Sequence, residues 1–136
     1  MLCVPTYVAP SSISGMGLFA AVDLPAHKII WTYTEGVDWR IPEEAFHGFP
    51  EPYRSMLEHY LYQDESGMFV LCGDNAKFMN HADEPNCDDS GEVHTVTLRP
   101  IRSGEELTCD YRLFDHGTRV HGLSFGEQAE ASSSGR

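Results

Sequence analysis

The chain predicts a β-rich α+β domain of many short strands with one modest helical insert. Three observations carry that expectation. Short runs rich in β-branched and aromatic residues, such as "KIIWTYT" and "MFVLC", recur along the sequence between turn residues. Helix signals are confined to about residues 41–61, so the long alternating helices of a doubly wound nucleotide fold are not there to be placed. The length, 136 residues, fits one domain that buries a core without staples.

Taken in order, "LCVPTYV" reads as a short strand whose proline suits an edge. "APSSISGMG" is a loop rich in serine and glycine. "LFAAV" and "KIIWTYT" are β-prone, with "DLPAH" as turn material between them. "IPEEAFHGF" starts like a helix, with proline early and acids in the first turn. "PEPYRSMLEHYLYQ" repeats that signature, and its Tyr53, Met56, Leu57 and Tyr60 fall on one helical face. "MFVLC" reads as a strand, "GDN" as a turn and "AKFMN" as a short extended piece. In that piece Phe78 and Met79 would point to opposite faces. "VHTVTLRPI" alternates as a strand, and "SGEELTCDY" turns into another. The polar tail "GEQAEASSSGR" reads as loose.

Composition narrows the function classes. Apolar residues make up 41% and charged residues 22%, the balance of a globular domain. The net charge of −12 opposes a phosphate backbone, so nucleic acid is not an expected partner, whereas a basic peptide is drawn in. No window approaches a membrane span, and the N-terminal residues lack the pattern of a signal peptide, which points to the cytoplasm. Cys3, Cys72, Cys87 and Cys109 are scattered and form neither a disulfide framework nor a zinc knuckle, so they read as reduced, part-buried thiols.

Three stretches could carry chemistry. Gly15-Met16-Gly17 lets a backbone turn tightly or meet a ligand closely. "KFMNHADEPNC" sets Asn80 beside His81 and follows with Pro85-Asn86. "GEELTCDY" turns at Gly104, offers Leu107 to the interior and ends on Tyr111. Each alone is an ordinary turn or turn–strand junction. "HADEPNCDDSGEVH" offers several metal-ligand types, but at spacings matching neither H-E-x-x-H nor an EF-hand loop, so no metal is expected.

In this order and at these spacings, the three stretches resemble the SET-domain family of protein-lysine methyltransferases, from about Val4 to Phe114. "ISGMGLFA" resembles the family's G-x-G loop, "KFMNHADEPNC" its R-F-x-N-H-x-x-x-P-N signature and "GEELTCDY" its G-E-E-L-x-x-D-Y signature. "LPAHKIIWTYTEGVDWRIPEEAF" is similar to the matching region of small stand-alone bacterial members. The resemblance implies a SET domain over about residues 1–116, with the helical insert inside it and a C-terminal pseudoknot threading the Tyr111 segment through a loop. Residues 117–136 would form a C-terminal segment able to act as a channel lid, then a flexible tail. It implies S-adenosyl-L-methionine as cofactor, with Asn80 and His81 against the adenosyl part and Gly15, Met16 and Gly17 against the methionine part. It implies Tyr111 as the catalytic residue that orders a lysine amine. Tyr33, Cys109 and Phe114 would line the substrate channel, with Trp31 as a possible neighbour.

The chain departs from the family in three ways, one being that "NHADEPN" has Ala82 and Asp83 where the family often has a Cys. No cysteine follows Tyr111, so no zinc closes the channel; Phe114 or Phe125, a second copy in a homodimer, or the substrate itself would have to do so. Cys109 stands where the family often has Phe or Tyr, and a smaller side chain there would admit a more methylated amine. The expected substrate is a Lys-rich protein or peptide. The alternative is a non-catalytic peptide-binding module, against which stands the presence of both glycines, Asn80, His81 and Tyr111.

Overall fold

The structure is a computed structural model, and it describes residues 1–64, 66–90 and 93–110. Four strands come first: β1 (Thr6–Pro10), β2 (Met16–Ala20), β3 (Ile29–Thr32) and β4 (Trp39–Ile41). Two short helices follow, α1 (Glu43–His47) and α2 (Tyr53–Glu58). Then come β5 (Leu61–Gln63), β6 (Phe69–Leu71), a 3-10 turn (Asn75–Phe78), β7 (Asn80–His81), β8 (Cys87–Asp88), β9 (His94–Thr97) and β10 (Thr108–Cys109).

These strands build four small sheets. β1 and β2 form an antiparallel hairpin with Thr6 opposite Ala20 and Pro10 opposite Met16. β9 lies between β3 and β8, antiparallel to both, with a register shift between Ile29 and Trp31. β6 lies between β4 and β5. β7 and β10 pair in parallel. Such small sheets cannot each bury a face alone, so the sheets of β1–β2, β3–β9–β8 and β7–β10 border one core of Leu18, Ala20, Leu24, Ile30, Met79, Cys87, Ile101, Leu107 and Cys109, while the β4–β6–β5 sheet buries Leu61 and Val70 outside it. Leu18 and Leu107 sit at its middle, and the Leu107 amide donates to the Leu18 carbonyl at 2.8 Å.

The mostly-β α+β expectation holds, and both helices lie inside the span read as helical. α1 starts after Pro42, carries Glu43 and Glu44 in its first turn, and buries Phe46 against Phe49 and Phe69. α2 departs from its pattern. Tyr53 and Met56 are 61% and 60% exposed, and the helix stops at Glu58. The physical reason is pairing: Leu61, Tyr62 and Gln63 are taken as a strand beside β6, so the apolar stripe is cut before its second turn. "AKFMN" is a second departure. Asp74 accepts the Ala76 amide at 3.0 Å and caps a 3-10 turn over Asn75–Phe78. Phe78 and Met79 therefore do not face opposite ways along a strand; both pack on the one core. Cys87 and Cys109 are buried, Cys72 is half-buried and Cys3 exposed, all as free thiols.

Buried Asp38 ties the turn before β4 to Gly73. Its carboxylate accepts the Thr34 amide at 2.9 Å and the Gly73 amide at 3.2 Å. A Cβ on Gly73 would stand 1.7 Å from the Val37 carbonyl oxygen. Gly73→Ala therefore drives backbone against backbone, and urea unfolding should report a loss of about 2 kcal/mol or more. An unchanged midpoint would mean that the turn moves aside freely.

Candidate active site

The two signature stretches meet in β7 and β10. Asn80 pairs with Thr108 and His81 with Cys109, and the Ala82 amide continues the ladder to the Cys109 carbonyl at 3.0 Å. Asn80 is 4% exposed. Its Nδ2 faces three acceptors: the Ser14 carbonyl at 3.1 Å, the Met16 carbonyl at 3.2 Å and Glu106 Oε2 at 3.0 Å. A primary amide has two N–H groups, and three acceptors share them. Glu106 also takes the Ser11 hydroxyl at 2.8 Å, and the Ser11 oxygen accepts the Ile13 amide at 2.9 Å. One neutral side chain thus fastens the whole Ser11–Met16 loop to the segment leading into β10.

The two loop glycines do different work. Gly15 turns the chain at φ 51°, a conformation that favours glycine. Gly17 is buried, and a Cβ there would lie 2.4 Å from Glu106 Oε2. The close approach at Gly17 is thus made by this chain's own carboxylate. The backbone left open for a ligand is that of Gly15 and Met16, both exposed.

Asn86 holds the other side of β10. Its Oδ1 accepts the Thr108 amide at 2.8 Å, and its Nδ2 donates to the Glu106 carbonyl at 2.7 Å. Arg99, 2.6 Å from Glu105, holds the Glu105 carboxyl below the usual range. Burial pushes the Cys87 thiol up to about 12, so it stays protonated and unreactive. The His81 ring lies between Asp83, 3.1 Å from Nε2, and Asp110, 3.7 Å from Nδ1.

A partly open cavity lies beside this assembly. Trp31, Tyr60, Tyr62, Met79, Asp89 and Cys109 contribute to its wall. Lys77 stands there too, its Nζ 5.6 Å from the Tyr60 ring centre and 5.5 Å from that of Phe78.

The residues expected from the sequence divide accordingly. Gly15, Met16, Gly17, Asn80 and His81 come together. Cys109 and Trp31 reach the cavity. Tyr33 is not among the described lining residues: its hydroxyl donates to the Asp38 carbonyl at 3.1 Å and Arg40 lies 4.7 Å over its ring. Burial raises its hydroxyl pKa. Tyr111, Phe114, Phe125 and the expected pseudoknot and lid lie outside the described residues. Among the described residues no cluster of three or more His, Cys, Asp or Glu is placed to hold a metal ion, and no helix is long and apolar enough to cross a membrane.

Sequence reasoning missed Glu106, Tyr60, Tyr62 and Asp89. The doubled acid of "GEEL" was the available signal for Glu106. The alternation in "YLYQ" was the signal for the two tyrosines, hidden by the helix reading of the same stretch.

Comparison with known proteins agrees with this geometry. A family model described as the SET domain matches residues 15–112. The Drosophila melanogaster histone-lysine N-methyltransferase trr is 31% identical over 123 residues, covering 85% of this chain and 5% of its own length. The Schizosaccharomyces pombe histone-lysine N-methyltransferase specific for H3 lysine-36 is 30% identical over 125 residues, covering 83% and 15%. The chain thus spans a small part of the curated relatives it matches. Among solved structures, a humanized mutant of the Chaetomium thermophilum Polycomb Repressive Complex 2, bound to the inhibitor GSK126, superposes with a TM-score of 0.63 at 23% identity. That match covers 85% of this chain and 16% of the other. At that identity the likeness concerns the fold.

Asn80→Ala removes the donor that the Ser14 and Met16 carbonyls share with Glu106. Urea unfolding should show a loss of about 1–3 kcal/mol. Amide exchange in the Ser11–Met16 loop should quicken beyond the change seen in β3 and β9. A loss below about 0.5 kcal/mol would mean that the loop holds without the clasp.

Proposed function

The chain belongs to the SET-domain family, and from that membership we propose that it is a protein-lysine N-methyltransferase with S-adenosyl-L-methionine as methyl donor. One observation carries the reading: Asn80 binds the open Gly15–Met16 loop on one side of β7–β10, while Cys109 and Met79 line an aromatic cavity beside the same pair. Two compartments sharing one thin wall suit a reaction between two substrates.

The residues present fit the donor. Gly15 offers bare backbone where no Cβ stands in the way, and Asp83 and Asp110 flank His81 with carboxylates suited to a cation. Gly15, Met16 and His81 would hold it. When bound, S-adenosyl-L-methionine would supply an electrophilic sulfonium methyl, with its thioether sulfur as the leaving group. The chain's own part is to present the amine neutral, aimed and dry. The Trp31, Tyr60, Tyr62 and Met79 walls disfavour an unpaired ammonium, and a bound sulfonium would push the amine further towards its neutral form. Confinement there supplies orientation, worth roughly 7–11 kcal/mol of barrier in favourable cases. Cys109 stands at the cavity wall two residues before Tyr111, and we assign the Tyr111 hydroxyl to ordering the amine. A lysine in a basic protein is the proposed substrate, consistent with the net charge of −12 and with the histone-lysine names of the relatives.

Labelled S-adenosyl-L-methionine with a mixture of basic proteins tests the reading directly: label should appear on lysine. Tyr111→Phe keeps the ring and removes the hydroxyl, so turnover should fall at least about 100-fold with cofactor affinity little changed. Turnover at the wild-type rate would remove Tyr111 from the reaction. Salt gives a second check. Raising ionic strength shortens the screening length to about 8 Å at physiological salt, so kcat/KM on a Lys-rich peptide should fall steeply while cofactor affinity changes much less. A flat profile would remove the argument for a basic partner.

A further inference from the structure

We propose that Asp89 is the residue through which the cavity recognises the positive charge of a primary alkylammonium. This deepens the lysine reading and rests on it for the identity of the natural ligand, but not for its test.

Asp89 lies just beyond β8 and lines the cavity that Cys109, Met79, Trp31, Tyr60 and Tyr62 also wall. Its position is fixed. Thr95, 2% exposed on neighbouring β9, donates its hydroxyl to Asp89 Oδ1 at 2.5 Å. The carboxylate is therefore held in place before any ligand arrives.

The physical need for it follows from the rest of the wall. Free lysine has a pKa of about 10.4, so only roughly one in 2,500 side chains is neutral at pH 7. The group that reaches the cavity is a cation. Aromatic and thioether walls alone would reject it, because burying an unpaired charge is costly. A fixed carboxylate offsets that cost at entry, and the ring faces add attraction. The chain's own ammonium already shows the compatibility. Lys77 rests over Tyr60 on this same cavity and over adjoining Phe78. Tyr60 thus accepts a cation on its face, and Asp89 supplies the charge that makes a second one welcome. An uncharged side chain of the same length gains nothing from Asp89, so the device discriminates by charge as well as by shape.

The test uses n-butylammonium, a lysine side chain cut at Cβ, against butan-1-ol, its uncharged counterpart. The chain has two tryptophans, and Trp39 is 55% exposed, so Trp39→Phe leaves Trp31 in the cavity wall as the reporter. At constant ionic strength, Trp31 fluorescence should saturate with n-butylammonium at least about tenfold more tightly than with butan-1-ol. Adding Asp89→Asn keeps the shape and the acceptor for Thr95, and should bring the two ligands within about twofold of each other. Equal binding of both ligands to the Trp39→Phe protein would overturn the proposal. So would a preference that survives Asp89→Asn, or no saturable ammonium signal up to about 100 mM. Should Asp89→Asn fail to fold, Lys77→Met decides. Removing the resident cation should tighten n-butylammonium by a few fold and leave butan-1-ol unchanged, and no tightening counts against Asp89. No methyl transfer is read, so failure here leaves the proposed reaction standing, and absence of transfer leaves this ammonium site standing.

Discussion

The side-chain amide of Asn80 holds together three segments that the chain visits far apart: the loop around Ser14 and Met16, β7 itself, and the run from Glu106 into β10. The chemistry explains why an asparagine suits the position. Its nitrogen must donate to two carbonyls and a carboxylate at once. An aspartate would set a second carboxylate against Glu106 and against two carbonyl oxygens, with nothing to donate. An alanine would take this donor from all three acceptors and leave Glu106 with Ser11, and a lost hydrogen bond at a buried site is expensive. Glu106 in turn requires Gly17, since a Cβ there would meet its carboxylate. Asn80, Glu106, Gly17 and Ser11 are therefore one unit, and the pairing of β7 with β10 is its frame.

Part of that unit was legible in the sequence. The Asn-His pair and the spaced glycines are local patterns that singled out Asn80 and Gly17, whereas Glu106, one of a doubled acid, and Ser11 were not singled out. The cavity wall was not legible, for a reason that is equally physical. Trp31, Tyr60, Tyr62, Asp89 and Cys109 lie on or beside four strands, and no short window contains more than two of them. Tyr60 and Tyr62 were further masked by a helical period that the α2 region keeps only to Glu58. Pairing of Leu61–Gln63 with β6 outweighed the local preference, which is worth only tenths of a kcal/mol per residue. Tyr33 fails the opposite way. Its neighbour Trp31 reaches the cavity, but the Tyr33 hydroxyl is used by the Asp38 carbonyl and its ring by Arg40, partners that spacing alone could not assign.

Electrostatics divide the two compartments. On the loop side, carboxylates are plentiful and mostly satisfied: Glu106 by Ser11 and Asn80, and Glu105 by Arg99 and Asn86. On the cavity side the wall mixes aromatic, aliphatic and sulfur-bearing side chains, with Asp89 and Lys77 as opposite charges among them. Net charge alone therefore says little about either place. What matters is that Glu105 and Glu106 fix backbone, whereas Asp89, held by Thr95, lines a cavity.

The wall between the compartments is thin because strand geometry makes it so. Successive residues of an extended chain point to opposite faces. Asn80 turns its amide to the loop, and Met79, one residue earlier, lines the cavity. Thr108 turns to Asn86, and Cys109, one residue later, lines the cavity. Two neighbouring pairs of side chains thus serve two compartments with no extra layer of structure. The arrangement also limits how the site can vary. A change at Met79 or Cys109 reshapes the cavity without touching a hydrogen bond of the clasp, whereas a change at Asn80 or Thr108 loosens the wall itself. Met79 and Cys109 are also core residues, so the cavity can change at them only within the volume the core allows.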